Sequence, residues 1–179
     1  MSIRSLCAAA GFVFLQLGAC APPIQSHGEF VPAAPYAEMH TFSFIAPEAT
    51  PAGYQATARS AVVVEQMKPM IAAALEAKGW VQGRPGESDI TIACAAGRRE
   101  AETHIKVPWR ISNITGEEFE DRDFVEGGIV IDAFDKSNGQ IWHGAARTEI
   151  DPTKPSQVRL QNAVNAALTR FPAHPRPAR

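Results

Sequence analysis

An α+β domain, with a mostly antiparallel sheet of about five strands and two helices packed on one face, is the fold class this sequence predicts. Three observations carry that reading. Apolar and polar residues alternate over Met39–Ile45, Ser88–Ala96, residues 99–107, Gly127–Phe134 and Gln140–Thr148. Two stretches instead space their apolar residues at helical intervals. The order of these segments is strand, helix, two strands, hairpin, helix, which favours sheet neighbours joined by short links rather than a regular βαβ alternation.

Met39–Ile45 puts Phe42 and Phe44 on one face of a first strand that ends before Pro47, and residues 46–59 read as loop. Val63, Met67, Met70, Ile71, Ala74 and Leu75 then line one side of a helix from about Ala61 to Gly79. Glycine takes the left-handed position after a helix cap without a steric cost, and Trp80 falls where it can touch Leu75. Pro69 removes an interior hydrogen bond and predicts a bend.

Ile90, Ile92 and Cys94 alternate with Thr91, Ala93 and Ala95, as a buried strand of small and branched residues does. Gly97 permits a turn, and residues 99–107 form a partly exposed third strand that closes at Pro108. Residues 109–126 carry six carboxylates interleaved with Phe119 and Phe124 and read as a solvated, mobile loop or a partner-binding surface. The surest element is the hairpin of Gly127–Phe134 and Gln140–Thr148, turned by Asp135-Lys136-Ser137-Asn138-Gly139.

Pairing Phe134 with Gln140 places Ile129, Ile131, Ala133, Ile141 and Ala145 on the face under the helices. It places Val130, Asp132, Phe134, Trp142, Gly144 and Ala146 on the other. Leu160, Val164, Ala167, Leu168 and Phe171 make the second helical stripe, entered through Pro155-Ser156 and stopped by Pro172. Residues 173–179 read as a disordered tail.

The start of the chain has a different character. Arg4 is followed by a ten-residue apolar run, Leu6–Leu15, too short to span a bilayer but suited to a secretory leader. Leu17-Gly18-Ala19-Cys20 follows at once and resembles the lipobox of bacterial lipoproteins. The resemblance implies that residues 1–19 are removed and that Cys20 is lipidated, with a diacylglyceryl thioether and an N-acyl chain such as palmitate. The protein would then be held at the membrane, since two or more acyl chains anchor stably where one does not. Ala21 after the cysteine implies the periplasmic face of the outer membrane, with the inner membrane or a secreted periplasmic form as alternatives. Residues 20–38, rich in Pro and Ala, read as a flexible tether to a single domain over residues 39–172.

Loss of Arg4 with the leader leaves 16 basic against 19 acidic residues, so no positive field is available to hold phosphates, and nucleic acid is excluded as a general partner. Cys7 departs with the leader and Cys20 is consumed, so no intrachain disulfide is expected and Cys94 reads as a buried small hydrophobe.

Thr41-Phe42-Ser43-Phe44, the helix Ala72–Trp80 ending in Ala-Lys-Gly-Trp, Ser88-Asp89-Ile90, Gly128–Asp135, Gly139–Gly144 and the last helix before Phe171-Pro172 resemble, in order and spacing, the bacterial lipoprotein family called domain of unknown function 4136. The resemblance covers residues 39–172. It implies an envelope-anchored α+β domain and carries over no catalytic residue.

Motifs for nucleophilic hydrolases, NTPases, zincins and dinucleotide binding are absent, and no cofactor or metal is expected. The function expected is therefore a non-catalytic binding or scaffolding module of the cell envelope, meeting the membrane through Cys20 and a periplasmic protein or envelope component through its surface. The sequence does not set the oligomeric state. The alternative is a metal-assisted periplasmic hydrolase that uses Glu100, Glu102 and His104, which share one face of a strand over residues 99–107. The same alternation also serves an edge strand that must avoid pairing. Asp132 and His143 fall on opposite faces in the register above, which argues against a dyad. Trp142, flanked by small residues, reads either as core packed by Phe134 and a loop or, together with Phe119 and Phe124, as the candidate surface for a ligand or partner.

Overall fold

The computed structural model describes residues 22–46, 50–111 and 114–174; the lipobox, Cys20 and residues 175–179 lie outside them. The elements are β1 (Gln25–Phe30), β2 (Thr41–Phe44), α1 (Ala58–Ala77), β3 (Val81–Gln82), β4 (Ile90–Ile111), β5 (Ile114–Asp135), β6 (Gln140–Ile150) and α2 (Gln157–Ala167). They form one six-stranded sheet in the order β1-β6-β5-β4-β2-β3.

The α+β class and the two helices are as expected, but the sheet is mixed. β1, β6, β5 and β4 pair antiparallel, while β2 runs parallel to both β4 and β3. The cause is α1: a helix between two strands returns the chain to the same end of the sheet, so the next strand must run parallel.

Each helix end follows from local chemistry. Thr57 and Ser60 cap α1 reciprocally, each side chain accepting from the other residue's backbone N–H. At the far end Gly79 sits at φ 92, Gly79 N–H donates to Glu76 and Trp80 N–H to Leu75, the paired bonds of a Schellman stop. The helix continues through Pro69. Ser156 caps α2 through Arg159 N–H.

Val64, Met67, Ile71 and Leu75 of α1 and Ala163, Val164 and Ala167 of α2 close over Phe42, Ile90, Ile92, Cys94, Ile131 and Trp142 in one apolar cluster. Phe42 and Phe44 share a face, with rings 5.8 Å apart in a T-shaped contact. Residues 172–174 are pinned rather than loose, because Trp80 Nε1 donates to Pro172 and His174 N–H to Lys78 across the end of α1.

Three expectations are corrected here. The tether expected over residues 20–38 is structured from Gln25 onward: β1 pairs with β6 over six positions, and a 3-10 turn follows at Tyr36–Glu38. Small residues allow this, since Gly28 lies opposite Gly144 and a Cβ on Gly28 would meet the Trp142 ring at 2.8 Å.

Gly97 does not turn the chain, and residues 109–111 and 114–126 are strand, not loop. β4 and β5 are each 22 residues long and stay in register from Ile90↔Asp135 to Ile111↔Ile114. Gly97 faces Gly128, and Tyr54 fills the space both leave: Cβ atoms there would lie 2.7 and 2.6 Å from its side chain. The β5–β6 pairing ends at Val125↔Ile150, so beyond it the two strands project as a two-stranded arm about 35 Å long.

The third correction concerns register. Phe134 does pair with Gln140, but Ala133 pairs with Trp142, so Ile141 is an extra residue in a β-bulge. One extra residue inverts the facing of everything after it. Trp142, Gly144 and Ala146 therefore lie under the helices, and His143 and Ala145 on the opposite face.

Candidate functional site

The bulge reassigns two candidates at once. Trp142 is 1 % exposed, with its ring 5.2 Å from Phe171, over the slot left by Gly28 and Gly144. It is a core residue and no part of a binding surface. His143 now stands directly opposite Asp132, and its Nδ1 donates to Asp132 Oδ1 at 2.7 Å. Gln140 Nε2 donates to the same oxygen at 2.8 Å.

The expected separation of Asp132 and His143 is thus overturned. Asp132 is 3 % exposed, so a buried carboxylate fixes the tautomer of a half-exposed imidazole and leaves Nε2 as the acceptor nitrogen. That is the posture of a general base. Its hydrogen-bond partner is Asp132, and the pair sits beside Gln140 on the sheet.

The other chemistry lies on the arm. Glu100, Glu102, His104 and Lys106 alternate onto one face of β4, opposite Val125, Asp123, Asp121 and Phe119 of β5. His104 Nδ1 contacts Asp121 Oδ1, and Lys106 Nζ reaches Glu117 Oε2 at 3.0 Å. One donor atom each from Glu102, His104 and Asp121 lies within 4.8 Å of the other two. The set expected from β4 alone was Glu100, Glu102 and His104; Asp121 takes the place of Glu100 because the hairpin register sets it across from His104.

Phe119 is 66 % exposed on the same face, with Lys106 Nζ 5.6 Å from its ring, whereas Phe124 is half-buried near the root. Of the three surface candidates, Phe119 alone is exposed.

The root of the arm is clamped from the opposite face. Tyr54 donates its hydroxyl to Glu126, Arg99 Nε donates to the same Glu126 oxygen at 2.9 Å, and the Arg99 guanidinium lies 5.0 Å from the Tyr54 ring. Burial, and then the bond to the Glu126 carboxylate, push the Tyr54 phenol up to about 12. Sequence reasoning missed this clamp, although the paired Gly97 and Gly128 could have marked a close approach.

The family described as Domain of unknown function (DUF4136) matches residues 27–173, most of the chain and nearly all of the fold just described. The chain belongs to the DUF4136 family. The matched span begins inside β1, in accord with that strand being part of the domain. No curated protein matches this chain.

Among solved structures, a PDZ domain protein from Parabacteroides distasonis has a TM-score of 0.50 at 10 % identity over 87 % of this chain, which spans only 38 % of that protein. PelC from Paraburkholderia phytofirmans, a dodecamer, gives 0.48 at 15 % identity in one crystal form and 0.47 at 14 % in another; 86 % and 85 % of this chain and 100 % of each PelC chain are covered. At these identities the likeness concerns fold alone. DUF4136 membership confirms the family resemblance and assigns no activity.

Proposed function

We propose that this DUF4136 protein is a lipid-anchored envelope protein that acts without catalysis, as a binding or scaffolding module, and that the β4–β5 arm is the part its partners meet. The observation that carries this reading is the arm itself. Its two strands run about 35 Å past the sheet, paired with each other and tied to β6 by the Arg122–Glu149 ion pair, and their outer edges offer a row of unpaired backbone donors and acceptors. Phe119 adds an exposed aromatic anchor. The anchoring half of the proposal rests on Leu17-Gly18-Ala19-Cys20, and periplasmic placement at the outer membrane on Ala21.

Two measurements test the halves separately. Cys20→Ala should move the protein from the outer-membrane fraction to the soluble periplasm; a variant that still sediments with the membrane ends the lipid-anchor reading. A photo-crosslinking residue at Phe119 should give discrete adducts in intact cells, and one at Val158, exposed on α2, should give none. Equal labelling from both positions removes the arm as the contact surface.

A further inference from the structure

We propose that the arm holds a divalent transition-metal ion of the zinc class on Glu102, His104 and Asp121, and that the ion clips its two strands together. The site goes beyond the proposed function and stands whether or not Cys20 is lipidated.

The geometry comes first. The three donor atoms lie within 4.8 Å of one another, two from β4 and one from β5, so small side-chain rotations bring them onto a common ion. One imidazole nitrogen with two carboxylate oxygens is a donor set zinc accepts, with water completing the coordination. Magnesium and calcium prefer all-oxygen shells, so the imidazole selects against them.

A second observation, independent of that convergence, is the register. Glu102 stands directly opposite Asp123, and like charges facing across a strand pair are destabilising. Elsewhere on the hairpin, Lys106 pairs with Glu117 at 3.0 Å and Arg99 with Glu126 at 2.9 Å. Among the described residues, Glu100, Glu102 and Asp123 make no ion pair, and Asp121 is paired with the His104 imidazole. A bound cation offsets that repulsion. It does so where help is needed, because an isolated two-stranded ribbon is marginal in water, and a ligand that binds only the paired state stabilises it by mass action.

The test uses the full chain in detergent, titrated with ZnCl2 and separately with CoCl2, with amide exchange followed across the arm. One ion per chain is expected, with visible Co2+ bands of a nitrogen and oxygen site, and slowed exchange over residues 101–124 but not over 129–134. His104→Ala and Asp121→Asn should each weaken zinc binding at least about tenfold. His27→Ala, which alters an exposed histidine on β1, should leave it unchanged. Wild-type affinity no greater than that of His104→Ala, binding lost in His27→Ala, or arm exchange indifferent to zinc would each overturn the proposal.

Discussion

Trp142 and the two glycines beneath it fit as one piece. A Cβ on Gly144 would lie 2.6 Å from the Ala167 carbonyl and 2.8 Å from Trp142 Nε1, so Gly144→Ala must push α2 away from the sheet. Trp142→Ala should cost about 3–5 kcal/mol by emptying that space, read as a lower urea midpoint with the m-value unchanged. Asp89 is a second decisive residue: its carboxylate accepts from His40 N–H at 2.9 Å and from Thr41 N–H and hydroxyl at 3.0 and 2.8 Å, tying β4 to the start of β2. Those bonds, the His40 backbone bond foremost, hold its pKa well below the ordinary value of 3.8. A depressed folded value means the stabilisation is complete above the unfolded value and fades as pH falls through it toward the folded one. Asp89→Asn should therefore flatten the acid limb of a stability-versus-pH curve, measured by denaturant midpoints from pH 6 down. The sequence marked Trp142 as notable and placed it on the wrong face, because a single bulged residue, Ile141, is invisible to a count of alternate positions.

At the scale of elements, local signals did well and pairing partners did not. The stop of α1 at Gly79, the Ser156 entrance to α2 and the turn between β5 and β6 were all legible, since each depends on residues adjacent in the chain. In that turn, Asn138 supplies the positive φ of 64, and Asp135 accepts from the backbone of Ser137 and Gly139. The arm was not legible. β5 carries charge on both faces from Glu117 to Asp123, so it has no period-two pattern, and only the partner strand across the hairpin makes it a strand. Since the arm adds nothing to the apolar cluster, replacing residues 101–124 by Asn-Gly should leave the melting temperature of the remaining domain within a few degrees, while removing zinc binding and the Phe119 adducts. A collapse of the melting transition would mean that the arm is integral to the domain. Exchange should also distinguish the two halves of β5, fast at residues 115–124 and slow at 129–133, where the strand is paired on both edges.

Over the whole molecule, the sheet is finished by its first strand. β1 covers the β6 edge and meets α2, so a chain lacking residues 22–31 should expose that edge, lose stability and associate through it, seen as a lower midpoint and a concentration-dependent sedimentation coefficient. The composition gave no warning, because Pro- and Ala-rich segments resemble linkers unless their pairing partner is known. Two contacts bring the start of the described chain to a fixed place. Arg159 Nη2 donates to the Pro22 carbonyl at 2.7 Å, and Thr148 Oγ1 donates to that of Pro23 at 3.3 Å. Cys20 is two residues before Pro22, a reach of about 7 Å. Thr148 pairs with Gly127, at the end of the sheet from which the arm departs. A lipid on Cys20 would leave no room for a leash: the domain would stand on its rim, with the arm emerging beside the headgroups instead of reaching out into the periplasm.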